Sequence, residues 1–283
     1  MSEIKLIGVV GAGQMGRGIA QVAAASGYQV TLFDINQEGL DFAQQFIQKQ
    51  LDKGVAKGKW EQSFVDSTMA NLSITTTMED LADCDLVVES ATENKNIKFE
   101  IFKQLDGIVK AGAILASNTS SISITEIAAV TNRADLVAGM HFMNPVPVMK
   151  LVETITGLET SIETIDTVDA VAEKMGKTVV RADDIPGFAV NRILVPMINE
   201  AFYALYEGVA DARGIDNAMK LGCNQPMGPL ELGDFIGLDT CLAIMEVLYE
   251  GLGDTKYRPC PLLKKYVAAG RFGVKVKKGV YEY

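Results

Sequence analysis

The sequence predicts an α/β protein in which a doubly wound, mostly parallel sheet is followed by an all-helical domain. Short β-branched runs alternate with longer amphipathic segments through the first two thirds of the 283 residues. This alternation is typical of a parallel sheet whose crossover helices cover both faces. From Phe188 onward the strand pattern stops, and apolar residues recur at helical spacing between glycine and proline breaks.

Individual elements follow from the local pattern of each segment. Seven runs are short, rich in β-branched residues and bounded by turn residues, which predicts strands. Three intervening segments have polar and apolar residues at helical period, which predicts amphipathic helices. The predicted strands are 4–10, 29–33, 85–89, 113–117, 136–141, 151–155 and 178–181, and the predicted helices are 39–57, 96–109 and 161–175.

The predicted boundary between the two domains is the tripeptide Ile185-Pro186-Gly187. Proline resists the continuation of a helix, and glycine frees the backbone, so this tripeptide suits a joint. We therefore expect a sheet domain at residues 1–186 and a helical domain at residues 187–283.

Composition argues against several classes of partner. The 36 acidic residues outnumber the 26 Lys and Arg residues, giving a formal net charge of −10. Nucleic-acid binding depends on clustered cationic charge, so nucleic acid is not an expected partner. No apolar run reaches the roughly 18 residues of a membrane helix, and no signal-peptide pattern is present, so we expect a cytoplasmic protein with no membrane partner. Neither a metal site nor a disulfide framework is expected from the spacing of Cys84, Cys223, Cys241 and Cys260.

A glycine-rich turn, residues 11–16, joins the first predicted strand to a helical pattern. Gly11 permits a tight turn, Gly13 lets the backbone approach a pyrophosphate, and Gly16 allows close helix packing. The next strand ends at Asp34, whose carboxylate can accept hydrogen bonds from a ribose 2′-hydroxyl and would repel a 2′-phosphate. This order predicts a Rossmann-type domain that binds NAD rather than NADP; a turn that merely joins strand to helix is the alternative. The predicted cofactor contacts are Gly11, Gly13, Gln14, Met15, Gly16 and Asp34.

The chain has a single histidine, His141, at the end of a predicted strand. Open α/β sheets place ligands at the carboxyl ends of strands, and oxidation of an alcohol by nicotinamide needs a base that titrates near neutral pH. Glu153 follows twelve residues later, and two intervening prolines suggest that the chain turns back beside His141. The pair predicts that His141 is a general base and that the carboxylate of Glu153 holds its imidazole ring in one tautomer. A structural histidine and a surface glutamate on an edge strand are the alternative.

Longer motifs identify a family. Six stretches occur in order along nearly the whole chain: VGAGQMGRGIA, DLVVESATEN, ASNTSSISI, HFMNPVPVMKLVE, IPGFAVNRILVP and QPMGPLELGDFIGLD. With them the sequence resembles the 3-hydroxyacyl-CoA dehydrogenases, and especially the bacterial enzymes that act on 3-hydroxybutyryl-CoA. The resemblance implies a homodimer that interconverts (S)-3-hydroxybutyryl-CoA and acetoacetyl-CoA with NAD, in butyrate and fatty acid metabolism.

The resemblance also implies roles for individual residues. His141 matches the family's catalytic base and Glu153 its carboxylate partner. Ser120 matches a residue that contacts the substrate oxygen near the nicotinamide, and Asn191 one that hydrogen-bonds the acyl portion. Around Lys275 the sequence departs from the glycine-containing run that is common in the family. Further cofactor contacts are implied for Glu93, Lys98, Ser120, Asn144 and Lys275.

A group of lysines stands out in this acidic chain. Lys49, Lys53 and Lys57 are spaced at i, i+4 and i+8, which places them on one face of a helix. The ordinary interpretation of such a stripe is a solvated helix face. In the resembling enzymes lysines of this helix lie near the phosphates of coenzyme A, so Lys53 and Lys57 are the expected phosphate contacts.

Two other functions are compatible with parts of the sequence. A 3-hydroxyacid dehydrogenase of the 6-phosphogluconate type would also join a dinucleotide domain to a helical one, but it needs a catalytic lysine in the helical half. The stretch PGFAVNRILVP offers Asn191 and Arg192 and no lysine. A non-catalytic, crystallin-like nucleotide-binding relative is the second alternative, and the presence of Ser120, His141, Glu153 and Asn191 argues against it.

Overall fold

The computed structural model describes residues 3–283 and divides into two compact units. The first unit ends at Ile185, and the second spans Pro186–Tyr283. The first contains a sheet with helices, and the second is helical, so the predicted fold class is confirmed. Within residues 3–283, no helix is both long enough and apolar enough to span a bilayer.

The sheet of the first unit has eight strands within the described residues, in the order β3-β2-β1-β4-β5-β6-β7-β8. All neighbouring strands are parallel except β6 and β7, which are antiparallel. The strand 72–75 is absent from the sequence-based prediction. The strands are β1 (Leu6–Val10), β2 (Gln29–Phe33), β3 (Leu72–Thr75), β4 (Leu86–Glu89), β5 (Ile114–Ser117), β6 (Val137–Phe142), β7 (Leu151–Thr156) and β8 (Thr178–Asp183).

The strand order reverses beside β1. The chain first runs outward from β1 to β2 and β3, and then returns to add β4 on the other side of β1. At such a reversal the two neighbouring connections leave the sheet in opposite directions and open a crevice at the carboxyl ends of the strands. The glycine turn follows β1 directly, so it lies at this crevice.

In the described part of the first unit, six helices pack against this sheet or against one another. The apolar faces of the first three and the last of these helices join the strands in one core, in which Ile7 and Val9 of β1 lie with Ile19 and Leu40. The three predicted helices correspond to 37–56, 95–108 and 162–174. The helices are α1 (Gln14–Ala25), α2 (Gln37–Ala56), α3 (Gln62–Ala70), α4 (Lys95–Ile108), α5 (Ile124–Ala128) and α6 (Ile162–Lys174).

The second unit has its own core. Phe202, Leu238 and Met245 are buried in it, and the final residues are tied to the helices by hydrogen bonds to the buried carboxylate of Asp234. This carboxylate accepts from the backbone N–H of Tyr281 at 2.8 Å. The helices of this unit are α7 (Val190–Tyr206), α8 (Ala212–Gly222), α9 (Pro229–Ile236), α10 (Leu238–Leu252) and α11 (Pro261–Ala268).

Candidate active site

The glycine turn has the geometry of a pyrophosphate cradle. Gly11 has φ +101, and a Cβ added there would lie 2.7 Å from the Ser90 carbonyl oxygen. A Cβ on Gly16 would lie 1.8 Å from the Gly11 carbonyl oxygen, so the turn closes only with glycine at that position. Gly13 precedes α1, and nothing lies within 4 Å of where its Cβ would be. This open space at a helix N-terminus fits the diphosphate of a dinucleotide.

Asp34 fastens the glycine turn to the end of β2. Its Oδ2 accepts a hydrogen bond from the Ala12 N–H at 2.7 Å, and its Oδ1 accepts one from the Asn36 N–H at 3.0 Å. Each carboxylate oxygen has a second lone pair. The carboxylate can therefore hold the turn and still accept hydrogen bonds from a ribose hydroxyl.

Two further predicted cofactor residues meet at the beginning of α1. The Gln14 side-chain amide donates to Asn144 Oδ1 at 3.0 Å. Asn144 lies in the loop between β6 and β7, so this bond joins the glycine turn to the chain that follows His141. Met15 is partly buried and packs against the core of the first unit.

His141 and Glu153 face each other across the antiparallel pair β6 and β7. His141 Nδ1 lies 2.8 Å from Glu153 Oε2. The histidine is 8% exposed and the glutamate 0% exposed. A carboxylate only accepts hydrogen bonds, so Nδ1 carries the proton and Nε2 is the acceptor nitrogen of the neutral ring.

Asn118 connects this pair to the neighbouring strand. Its Oδ1 accepts from the Phe142 N–H at 2.8 Å, and its Nδ2 donates to Ser90 Oγ at 3.1 Å. It therefore fixes the backbone next to His141 relative to the end of β4. Sequence reasoning missed Asn118, although it lies in the polar run directly after β5 that contains Ser120.

Ser120 is held by Glu93. Glu93 Oε1 accepts from the Ser120 N–H at 2.6 Å and from the Ser120 hydroxyl at 2.8 Å. The other oxygen, Oε2, accepts from the Thr119 hydroxyl at 2.8 Å. The structure thus brings together two residues to which the resemblance assigns cofactor contacts.

Lys98 lies in the interior of the first unit, with 1% of its surface exposed. Its ammonium group donates to Glu89 Oε2 and, at 3.3 Å, to Ser117 Oγ. It is also 4.0 Å from Glu93 Oε2. The charge of Lys98 is therefore engaged with protein groups, and its contact with a cofactor stays a prediction.

Other predicted residues lie apart from this cluster along the chain. Lys53 occupies the last turn of α2, Lys57 follows its end, and both are exposed. Among residues 3–283, no salt bridge involves either lysine, so their charges are available to a ligand.

In the second unit, Asn191 is the second residue of α7. Lys275 forms an ion pair with Asp239 at 2.5 Å, and its role as a cofactor contact stays a prediction.

The buried cysteines do not supply a nucleophile. Burial raises the pKa of Cys84 to about 12 and that of Cys241 to about 12. Burial also raises the pKa of Cys260. These thiols stay protonated at neutral pH, and a protonated thiol is a poor nucleophile.

A doubly wound sheet with this glycine turn at its reversal point is the architecture of NAD-dependent dehydrogenases. Two family models match the chain: "3-hydroxyacyl-CoA dehydrogenase, NAD binding domain" at residues 6–185 and "3-hydroxyacyl-CoA dehydrogenase, C-terminal domain" at residues 187–283. The chain belongs to the 3-hydroxyacyl-CoA dehydrogenase family. The predicted family and the predicted cofactor, NAD, are confirmed, and the 6-phosphogluconate-type alternative has no support.

Individual relatives cover nearly the whole length of the chain. A Bacillus subtilis (strain 168) protein named "Probable 3-hydroxybutyryl-CoA dehydrogenase" is 59% identical over 281 residues, covering 99% of this chain and 98% of its own. The 3-hydroxybutyryl-CoA dehydrogenase of Bradyrhizobium diazoefficiens is 52% identical, covering 99% of this chain and 96% of its own. The crystal structure of (S)-3-hydroxybutyryl-CoA dehydrogenase from Ralstonia eutropha superposes with a TM-score of 0.97 at 51% identity, covering 99% of both chains.

Proposed function

We propose that this chain interconverts (S)-3-hydroxybutyryl-CoA and acetoacetyl-CoA with NAD, and that His141 is its general acid and base. The main support is the contact between His141 and Glu153, whose side chains are 2.8 Å apart. His141 lies on β6, and the loop that follows this strand contacts the glycine turn. The names of relatives at 51 to 59% identity support the substrate. The test is the loss of NADH absorbance when the purified protein is mixed with NADH and acetoacetyl-CoA. Absence of turnover would favour the non-catalytic alternative.

The buried carboxylate of Glu153 prepares His141 for proton transfer. It accepts a hydrogen bond from the Nδ1–H, which leaves Nε2 unprotonated and able to take a proton from the 3-hydroxyl of the substrate. The imidazolium formed in this way is stabilised by the adjacent negative charge. In the direction of reduction, Nε2 returns the proton to the oxygen on carbon 3. One residue thus serves both directions.

Positioning of the reactants falls to Ser120 and Asn191. The resemblance assigns both to the substrate, with Ser120 also beside the nicotinamide. The glycine turn and Asp34 would hold NAD, which would supply the hydride acceptor for carbon 3, and NADH would supply the hydride donor in the reverse direction. Holding the substrate oxygens fixes carbon 3 for this transfer, a contribution separate from the proton transfer by His141.

Asp34 is proposed to select NAD over NADP. The Asp34→Ala variant should lose much of the preference for NAD, because the carboxylate no longer repels a 2′-phosphate. The measurement is the ratio of kcat/KM for NADH to that for NADPH. Because Asp34 also anchors the Ala12 N–H, the matched variant Asp34→Asn separates the two roles: it keeps one acceptor oxygen and removes the charge. An unchanged ratio in both variants would contradict the assignment.

Lys53 and Lys57 are proposed to contact the phosphates of coenzyme A. The double substitution Lys53→Glu and Lys57→Glu should raise the KM for acetoacetyl-CoA on the order of tenfold, with kcat nearly unchanged, because it reverses charges that attract the phosphates. Steady-state kinetics measures both values. The control substrate is S-acetoacetyl-N-acetylcysteamine, which lacks the phosphates and should be turned over equally by both proteins. An equal rise in KM for both substrates would argue against phosphate binding.

The homodimer and the cytoplasmic location stay predictions. The homodimer is implied by the family resemblance, and the second unit has exposed apolar side chains that association would cover. The exposed side chains include Ile193, Tyr206, Val209, Leu221 and Phe235.

A further inference from the structure

A network of buried charged side chains is connected to Ser120 through Glu93. Glu89 and Ser117 are the last residues of β4 and β5, and they pair across these neighbouring strands. Lys98, in the first turn of α4, reaches both of them with its ammonium group. Ser117 Oγ donates to Glu89 Oε2 at 3.1 Å. The three side chains are almost completely buried, at 0 to 1% exposed.

This network extends to the surface through one residue. Lys98 Nζ lies 4.0 Å from Glu93 Oε2, and the side chain of Glu93 is 47% exposed. One ammonium group thus faces two carboxylates, those of Glu89 and Glu93. On its outer side Glu93 accepts both hydrogen bonds from Ser120, at 2.6 and 2.8 Å. The chain of contacts therefore runs from the sheet interior to the Ser120 hydroxyl.

The direction of these hydrogen bonds determines how the Ser120 hydroxyl is oriented. A hydroxyl has a single proton, and here that proton points to a carboxylate that cannot donate in return. The bond therefore sets the Ser120 rotamer and with it the directions in which the oxygen lone pairs point. The second bond, from the Ser120 N–H, fixes the backbone at the same point.

We propose that Glu93 is a positioning residue that fixes the Ser120 hydroxyl for the reaction, and that buried Lys98 holds Glu93 in place. This inference rests on the proposed function, in which Ser120 contacts the substrate. A buried ion pair is weak evidence for stability, because desolvation of the two charges offsets much of their attraction. In this protein the buried ion pair has a positioning role, because Lys98 is the cation shared by the carboxylates of Glu89 and Glu93.

A double-mutant cycle between Glu93 and Ser120 tests the first part. In wild type, Glu93→Ala should lower kcat for acetoacetyl-CoA on the order of 10- to 100-fold, as misplacement of a positioning group does. Glu93→Gln keeps one acceptor oxygen and should recover part of this loss. In a Ser120→Ala background, Glu93→Ala should have almost no further effect, because the group through which it acts is gone. The control is Glu100→Ala, which removes an exposed glutamate that pairs with Lys103.

Three results would overturn the proposal: wild-type kcat in Glu93→Ala, full additivity of the two substitutions, or a loss explained by weaker NADH binding in a fluorescence titration. Full additivity would mean that Glu93 acts independently of Ser120, and weaker NADH binding would mean that Glu93 acts as a direct cofactor contact. A crystal structure of Glu93→Ala provides a test without turnover, and Ser120 Oγ should change rotamer or position in it. If wild type does not turn over acetoacetyl-CoA, the proposed function fails, and this crystal structure alone decides the positioning role.

Lys98→Met tests the second part. It should reproduce the kinetic effect of Glu93→Ala, and the two substitutions should not add. Because Lys98→Met leaves the buried carboxylate of Glu89 unpaired, the paired variant Lys98→Met and Glu89→Gln is measured beside it. The amide that Glu89→Gln introduces can still accept from the Ala91 N–H, as the carboxylate does at 2.9 Å. Wild-type kcat in the folded variant would show that Lys98 has no part in positioning.

Discussion

Replacement of His141 by alanine is expected to lower kcat in both directions by about 10² to 10⁴, the typical contribution of a general acid or base. The reason is that Nε2 of His141 is the group proposed to exchange a proton with the oxygen on carbon 3. The dissociation constant for NADH should change little, because the glycine turn and Asp34 are separate from the ring. Steady-state kinetics and a fluorescence titration measure the two quantities.

Chemical rescue provides the control for this prediction. The chain has no second histidine, so no other imidazole can replace the lost one. Added imidazole should restore part of the activity of His141→Ala and leave the wild-type rate unchanged. Rates equal to wild type in the absence of imidazole would exclude the role of His141. A loss that imidazole does not restore, together with a lower melting temperature, would indicate a structural histidine.

Local patterns explain why much of the fold could be predicted. The glycine turn and Asp34 are defined by spacing along one strand-helix-strand unit, and their contact at 2.7 Å needs no partner outside that unit. The return of the chain beside His141 was also indicated by sequence, and the structure pairs it with Glu153 in adjacent antiparallel strands. The catalytic roles of these residues stay predictions.

Features that depend on distant packing could not be predicted. The strand β3, Leu72–Thr75, alternates apolar and polar residues over only four positions, which is the lower limit of the length over which alternation predicts a strand. Lys98 is a charged residue in an amphipathic helix, and lysine is rarely buried without a partner. Its burial is determined by Glu89, which lies on another element nine residues earlier in the chain. The periodicity of α4 alone therefore does not predict that Lys98 is buried.

Substitution of Glu153 by glutamine should lower kcat about as strongly as loss of the histidine. Glutamine has nearly the same shape, so it fits the fully buried site of Glu153. Its amide can donate to Nδ1, which favours the tautomer with the proton on Nε2, and such a ring cannot accept the hydroxyl proton. The equivalent acid-to-amide change in a serine protease triad lowers kcat by about 10⁴. The expected loss here is on the order of 10² to 10⁴.

The tautomer itself can be observed, because a chain with one histidine gives one pair of imidazole nitrogen signals. Nitrogen-15 spectra of wild type should show the proton on Nδ1 of His141, and those of Glu153→Gln should show it on Nε2. The matched control is Glu159→Gln, an exposed glutamate soon after the end of β7, which should alter neither rate nor spectrum. If Glu153→Gln keeps the wild-type tautomer yet loses activity, the carboxylate acts by charge and not by orienting the ring. If it keeps the wild-type rate, Glu153 has no role in proton transfer.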